Sequence, residues 1–575
     1  SSSAAAGAAT LDQITGSFTV DGDVRVGRAS TTGAAEAMAS GSLDISNVKF
    51  NAHVGRLDIG IASAVHSSTA SSAGAFSIDS FSQGFVSDND LRVGIAHAES
   101  LSHATGAGTF SLSNLATGGI ELRTSALFGD AFADGSSSST AISDASIRDV
   151  GVGGMWVFGQ LIVGRAVAHD TATAIATGAD PQLGSTFLVE SVDGVFRVGT
   201  NSAAPQFTVG YSSANGAATA AAGATARITD VLSADILTMQ MSIGIAESTG
   251  QGTATTQADF TLETVGSALK ATDRVDIGIA MANMADPVGS PGHAASITTT
   301  TAEINGVDTI SIVHDLRVGI ARTQASVLTD GPVAQSMTSF KLLRSDVVGI
   351  SGNMVLATAQ AFGLSGEARA NDMNGNNGLP PPLIEFGDIG SLQISHDVSI
   401  ARNSASGSAS SSSFASVVFH DIASMTMSGS FVAGQVVITS DSAESTARAV
   451  VHLQNVGNMF VGGSLLFGTT AAVNGNATAS VFVEGAITDS LITVNDAMHI
   501  GRTDVQNNAL ATTNAVVDVF NSTLVVTDGI VIGRLQGGGT NTANIATGTL
   551  ALHNSQVITG NPTLIGTTDG ATQGT

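Results

Sequence analysis

Along this chain short runs of alternating apolar and polar residues are separated by turn formers, beginning with Phe18-x-Val20, then Asp-Gly-Asp, then Val24-x-Val26. Alternation with period two, broken by Asp, Asn and Gly, predicts strand, corner, strand. The same grammar returns at Leu392 to Ile400 across Ser-His-Asp, at Ile492 to Ile500 across Asn-Asp-Ala, and at Leu524 to Ile532 across Thr-Asp-Gly.

The most regular phrase is apolar-x-apolar-Gly, often followed by Ile-Ala or Arg-Ala: VRVGRA from Val24, LDIGIA from Leu57 and LRVGIA from Leu91. It recurs with drift at Ser125, Leu161, Phe207, Met241, Val275, Leu316, Met354, Val398, Val436, Leu465, Met498, Ile530 and Thr563, which makes sixteen anchors. Successive anchors most often lie 33 or 34 residues apart. The fourth position is Gly in twelve, with Phe128, Ala357, Ala401 and Thr439 as exceptions. Longer intervals, such as Leu161 to Phe207 and Met354 to Val398, mark insertions in loops on a fixed scaffold.

After each anchor the apolar face shrinks to Ala and Ser, passes through a variable tip, and returns to a third pair such as Phe76-x-Ile78, Phe110-x-Leu112 or Phe260-x-Leu262. Inward side chains set the spacing of packed sheets, so large residues near the corner and alanine near the tip predict a tapered cross-section. Proline agrees with this layout, because it cannot donate to a ladder. Pro181, Pro287, Pro291, Pro332 and Pro380 to Pro382 fall in tips, while Pro205 and Pro562 precede anchors.

Two architectures fit such a unit: a meander of hairpins, or a parallel β-helix in which each repeat is one coil. The second explains why one position takes Gly, or Val and Ile, in copy after copy, since equivalent residues of adjacent coils stack directly. The expected fold is therefore all-β: a parallel β-helix (β-solenoid) of about sixteen imperfect coils, commonly 33 to 34 residues each, with variable loop tips. It forms a single continuous solenoid over residues 1–575, with a lead-in segment at 1–17 and a C-terminal tail at 567–575.

Composition narrows the function. Charged residues are 12% and aromatic residues 4% of the chain, against 67 Gly, which fits neither an ordinary globular enzyme nor a charge-rich disordered chain. Forty-seven acidic residues against 21 basic ones give a formal charge of −26, which repels a phosphate backbone, so no nucleic-acid partner is expected. Without Cys, neither disulfides nor thiolate metal sites can staple the fold. The most apolar stretch, Val152 to His169, is broken by Gln160 and Arg165, and no transmembrane segment is expected. The opening Ser-Ser-Ser-Ala-Ala-Ala-Gly lacks the basic and apolar regions of an export signal.

The phrases VDGDVRVGRAS, VTDGIVIGR and NDAMHIGR resemble the β-strand repeats of bacterial surface proteins, including autotransporter passenger regions and filamentous-haemagglutinin-like adhesins. That resemblance covers nearly the whole chain and implies a secreted β-helix at the cell surface or in an extracellular matrix. The chain departs from the pattern in lacking a recognisable outer-membrane barrel and in having repeats longer than the roughly twenty-residue coils of such proteins.

Gly151 to Gly154 and Gly537 to Gly539 are not followed by the Lys-Ser/Thr of a phosphate cradle and read as corners. His314/Asp315, His396/Asp397 and His420/Asp421 have the composition of a base and its orienter, but they stand in turns, where turn chemistry is the better account. Asp21 with Asp23, and Asp88 with Asp90, are the candidate oxygen ligands for Ca²⁺ between coils, against plain Asx turns. Trp156 and Tyr211 are the only Trp and Tyr, too few for the aromatic platforms of a carbohydrate enzyme. No catalytic, cofactor-binding or metal residue is therefore assigned, and the chain is not expected to be an enzyme.

Repeat grammar starts at Phe18 and runs to the anchor at Thr563 with no recognisable capping segment. A bare solenoid end presents apolar residues and unpaired strands. The expectation is an extracellular structural protein that assembles with itself head to tail into a filament, sheath or matrix fibre. The alternative is a monomeric adhesin or passenger domain that binds ligands through its tips, with the insertion from Asn371 to Pro382 as the largest contact loop.

Overall fold

A computed structural model describes residues 2–178, 184–199, 206–264, 268–284, 294–325, 331–363, 365–371, 382–439, 442–472, 476–506, 509–537 and 544–569. The chain forms a parallel β-solenoid of about 15 turns, close to the expected sixteen. Strands make up 79% of it and the described residues contain no helix, so the core is built only sheet against sheet. The chain divides into two compact units, Ser1–Asp276 with Ile297–Asp308, and Ile277–Ser296 with Thr309–Thr575.

Three ladders run through the first unit. The anchor ladder stacks Val24 on Leu57, Leu57 on Leu91, Leu91 on Ala126, Ala126 on Leu161, Leu161 on Phe207 and Phe207 on Met241. The return ladder stacks Leu43 on Phe76, Phe76 on Phe110 and Phe110 on Ala145. A short third ladder stacks Phe18 on Ala52, Ala52 on Phe85, Phe85 on Ile120 and Ile120 on Met155. In the second unit the anchors Leu316, Met354, Val398, Phe431, Leu465, Met498 and Ile530 stack in the same way. All these pairings are parallel, which excludes the hairpin meander.

Two anchors move from their expected places. Ala126, not Ser125, pairs with Leu91 and Leu161. Phe431, not Val436, pairs with Val398 and Leu465, and Val436 lies five residues further along the same strand, Phe431–Ile438. That strand is apolar at most positions, so hydrophobicity alone leaves its register open. The fourth position decides it. With both anchors corrected, it is Gly129 and Gly434, and the exceptions at Phe128 and Thr439 disappear. The expected lead-in is also part of the repeat, because Ser2–Leu11 forms a strand paired along its whole length with Glu36–Ile45.

At the fourth anchor position the backbone is left-handed in every described coil, with φ from 50° to 73°. In the first unit these residues are Gly27, Gly60, Gly94, Gly129, Gly164, Gly210 and Gly244. In the second they are Gly278, Gly319, Ala357, Ala401, Gly434, Gly468, Gly501, Gly533 and Gly566. The effect is that of a β-bulge: one residue is absorbed and the inward parity changes. Leu57 and Ile59 point inward before the bulge, Ala62 and Ala64 after it, and all four are fully buried.

The glycine also lets the two sheets touch. A Cβ at Gly60 would fall on the carbonyl oxygen of Ala107, and one at Gly27 on that of Ala73. Beyond this waist the buried cluster of the first unit is alanine alone, including Ala62, Ala64, Ala96, Ala98, Ala131 and Ala133. The corresponding cluster of the second unit is also entirely alanine. On the other side of the waist lie Phe76 and Phe110, stacked at 5.9 Å, and in the second unit Phe386 and Phe419, at 5.1 Å. The predicted taper therefore has a mechanism: bulky side chains at the corners, backbone contact at the glycine, then a thin alanine wing.

A second left-handed ladder, unanticipated from the sequence, turns the corner after the return strand. It comprises Gln13, Asn47, Ser80, Asn114, Asp149, Ser191 and Asp230 in the first unit. In the second it runs through Arg344, Asp388, Asp421, Asn455, Asp489, Asn521 and Asn554. Asn and Asp tolerate this conformation best among residues with a Cβ. The sequence trace is apolar-x-x-apolar, as in Ile45 and Val48 or Ile147 and Val150, all buried.

Among the prolines, Pro332, Pro382 and Pro562 lie outside strands, and the other six fall outside the described residues. Substituting Gly60 by Ala places a Cβ against backbone that cannot yield, and is expected to lower the chemical-denaturation midpoint sharply. Ala357→Gly is expected to stabilise by about 1 kcal/mol by removing left-handed strain. Both changes are measured by urea denaturation of the full chain.

Candidate functional site

The polar chemistry of the solenoid lies along its corners. Asp12 Oδ1 accepts hydrogen bonds from Ser46 Oγ at 2.6 Å and Asn47 Nδ2 at 2.8 Å, one coil on. Asp79 repeats the clamp with Ser113 Oγ at 2.7 Å and Asn114 Nδ2 at 2.6 Å. These bonds favour the charged form and hold both carboxyls below their ordinary value. At the corner before the anchor, Asp315 Oδ1 accepts from the Asn353 amide at 2.8 Å, and Asp397 Oδ1 from the Ser430 amide at 2.8 Å. The aspartates of His314/Asp315 and His396/Asp397 thus cap the backbone of the next coil, as the turn reading predicts.

The carboxylates considered for calcium sit within a checkerboard of charge. The register sets Asp23 opposite Arg56 and Arg25 opposite Asp58, and then Asp58 opposite Arg92. Arg25 bonds Asp23 at 2.7 Å and Arg92 bonds Asp90 at 3.0 Å. At the centre Asp58 is buried, which pushes its carboxyl above the ordinary value against the pull of Arg92, Arg56, Arg28 and Arg25. Asp88 is held by His53 at 2.7 Å and by Arg123 at 2.8 Å. Three of the four proposed ligands are engaged by cationic side chains, and the structure does not gather them around one point. Asp21 is exposed.

The other residues singled out in the sequence have structural surroundings. A Cβ at Gly153 or Gly154 would overlap neighbouring backbone, so this cluster serves close coil approach, and Gly538 and Gly539 lie outside the described residues. Arg197 lies over the Trp156 ring at 5.5 Å. Tyr211 donates to Glu247 at 2.8 Å, and its hydroxyl is pushed up to about 12, first by burial and then by Glu247. Of the insertion from Asn371 to Pro382, residues 372–381 lie outside the described residues.

One constellation brings together groups that the sequence separates. His420 projects from the strand Ser410–Met427, beside the left-handed corner at Asp421. Its Nδ1 is 3.0 Å from Asp421 Oδ2, and its Nε2 is 3.1 Å from Glu385 Oε1 in the preceding coil. Lys341 Nζ, a further coil back, lies 3.2 Å from the other Glu385 oxygen. Asn455 Nδ2 donates to Asp421 Oδ1 at 2.6 Å. Asp388 completes the group: one ligand atom from each of Asp388, His420 and Asp421 lies within 4.8 Å of the others. Burial opposes a charge on the imidazole, but the two carboxylates outweigh it and raise His420 above its ordinary value. Sequence reasoning found His420 with Asp421 but not Glu385 or Asp388, which stand 35 and 32 residues earlier.

His499 is the contrasting case, buried on the anchor strand Ala497–Val505. Burial, then Arg502 and Arg534, lower its imidazole to about 4.

No protein family, curated protein or solved structure gives a significant match to the chain. The class of protein therefore rests on the fold itself, a parallel β-solenoid repeat protein.

Because His499 titrates near 4 when folded and near 6.5 when unfolded, the unfolded chain takes up the proton first as pH falls. Stability from this residue is complete above 6.5 and drains through the window from 6.5 to about 4, by roughly 3 kcal/mol in all. Denaturation of wild type and His499→Gln across that window is expected to show a smaller loss in the variant.

Proposed function

We propose that the chain is an extracellular structural protein whose solenoids join end to end, second copies continuing the coil stack into a filament, sheath or matrix fibre. The observation that carries this reading is the coil-on-coil register. Each coil is a template for the next, with parallel strands, a repeated left-handed glycine and matching corner clamps, so a coil face is a surface that another coil fits.

Within the stack every coil meets its neighbours through parallel strands, and such a face favours strand addition by a further coil. A head-to-tail contact of this kind is heterologous and grows without closing. The acidic balance keeps such an assembly soluble, and the resemblance of the anchor phrases to bacterial surface repeats supports an extracellular setting. The chemistry sits in clamps between coils, which serves cohesion more directly than turnover.

Electron microscopy of the purified chain near neutral pH, with and without calcium, tests the reading. Fibres with a meridional repeat of about 4.8 Å along their axis are the expected result. Short single particles at high concentration under every condition would overturn it and favour the monomeric adhesin. In that case deletion of 372–381 should abolish ligand binding.

A further inference from the structure

We propose that Asp388, His420 and Asp421 form a binding site for a divalent transition-metal ion of the zinc or nickel kind. Three independent features of this corner carry the inference.

The first is a conflict of charge. The register places Gly387 opposite His420 and Ile389 opposite Ile422, so Asp388 and Asp421 are direct neighbours one coil apart. Among the described left-handed corner residues this is the one place where two carboxylates stack. Elsewhere Asp149 stands between Asn114 and Ser191, and Asp489 between Asn455 and Asn521. Like charges directly opposite one another destabilise a ladder, and a cation between them reverses the sign. The charged groups facing the cluster are Lys341 and Glu385, Arg344 one coil before Asp388, and His420 itself.

The second is how the imidazole is held. A metal-bound histidine commonly donates its other ring N–H to a carboxylate, which fixes the tautomer and the ring plane. Here Glu385 is placed to accept from Nε2, and Lys341 anchors Glu385 from behind. Nδ1 then faces Asp421, with Asp388 within reach. Asn455 fixes Asp421 through its other oxygen.

The third is the space made for the ring. A Cβ at Gly387 would overlap His420 Cε1 and Nε2. Gly387 does not adopt the left-handed conformation of the bulge glycines. Its missing side chain is what seats the imidazole.

Metal binding requires a free Nδ1 lone pair, so any proton held between Nδ1 and Asp421 is displaced to solvent. One imidazole nitrogen and two carboxylates, with water in the remaining positions, suit borderline ions better than Ca²⁺, which prefers oxygen ligands alone.

Calorimetric titration of the full chain with zinc chloride, and separately with calcium chloride, tests the site. One saturable zinc equivalent is expected, lost in His420→Ala and Asp388→Asn and weakened about 10- to 100-fold in Glu385→Gln. Calcium should give no saturable heat at the same concentrations. Without metal, Asp388→Asn should raise the melting temperature, because Asn keeps the corner conformation and removes the repulsion. Zinc binding that is absent, or that survives both His420→Ala and Asp388→Asn, would overturn the proposal. So would a fall in the metal-free melting temperature of Asp388→Asn, which would make the paired carboxylates an ordinary structural contact.

Discussion

Strands of this solenoid find their hydrogen-bond partners one coil away, because parallel pairing satisfies each amide and carbonyl between coils and not within them. Every other feature has to respect that stacking. A side chain that suits one coil must suit the same place in the coils on either side, and a one-residue slip would turn a whole strand inside out. The left-handed residue at the fourth anchor position answers this demand, since it resets the inward parity at the same point in each coil. It also draws the sheets to backbone contact, and the alanine wing follows from that closeness.

The corners complete the same logic with polar atoms. Where the chain leaves the return strand, Asn, Asp and Ser accept the left-handed turn, and the Asn side chains clamp the preceding coil, as Asn114 does by donating to Asp79. Charges are set in opposition across the ladder, with Asp58 amid Arg25, Arg56 and Arg92. Such an arrangement opposes slippage, because a shifted register would set like charges against one another. Against this background the stacked pair Asp388 and Asp421 is an exception among the described corner residues, with an imidazole beside it.

The fold was legible because repetition makes a weak local signal strong. One VRVG phrase says little, but the same phrase at a steady spacing says that equivalent residues stack. It failed where a strand offered more than one match, as in Phe431–Ile438, since hydrophobicity does not distinguish the residue at a bulge from its neighbours. The second left-handed ladder escaped notice for a related reason. Its trace, Ile45-x-x-Val48, breaks the period of two and so resembles the end of a strand.

By itself the sequence determined the all-β class, the parallel coil, the number of repeats to within about one, and the change from bulky to small core residues, because all of these follow from which residue types recur and how often. Only the tertiary structure decided which residues meet. His420 reaches Glu385 and Asp388 because a coil length of about thirty-three residues lays those positions side by side, and no local pattern encodes a neighbour that distant. Register, in turn, was settled by backbone conformation at the glycine bulge and the Asx corner, since parallel strands align where their kinks coincide.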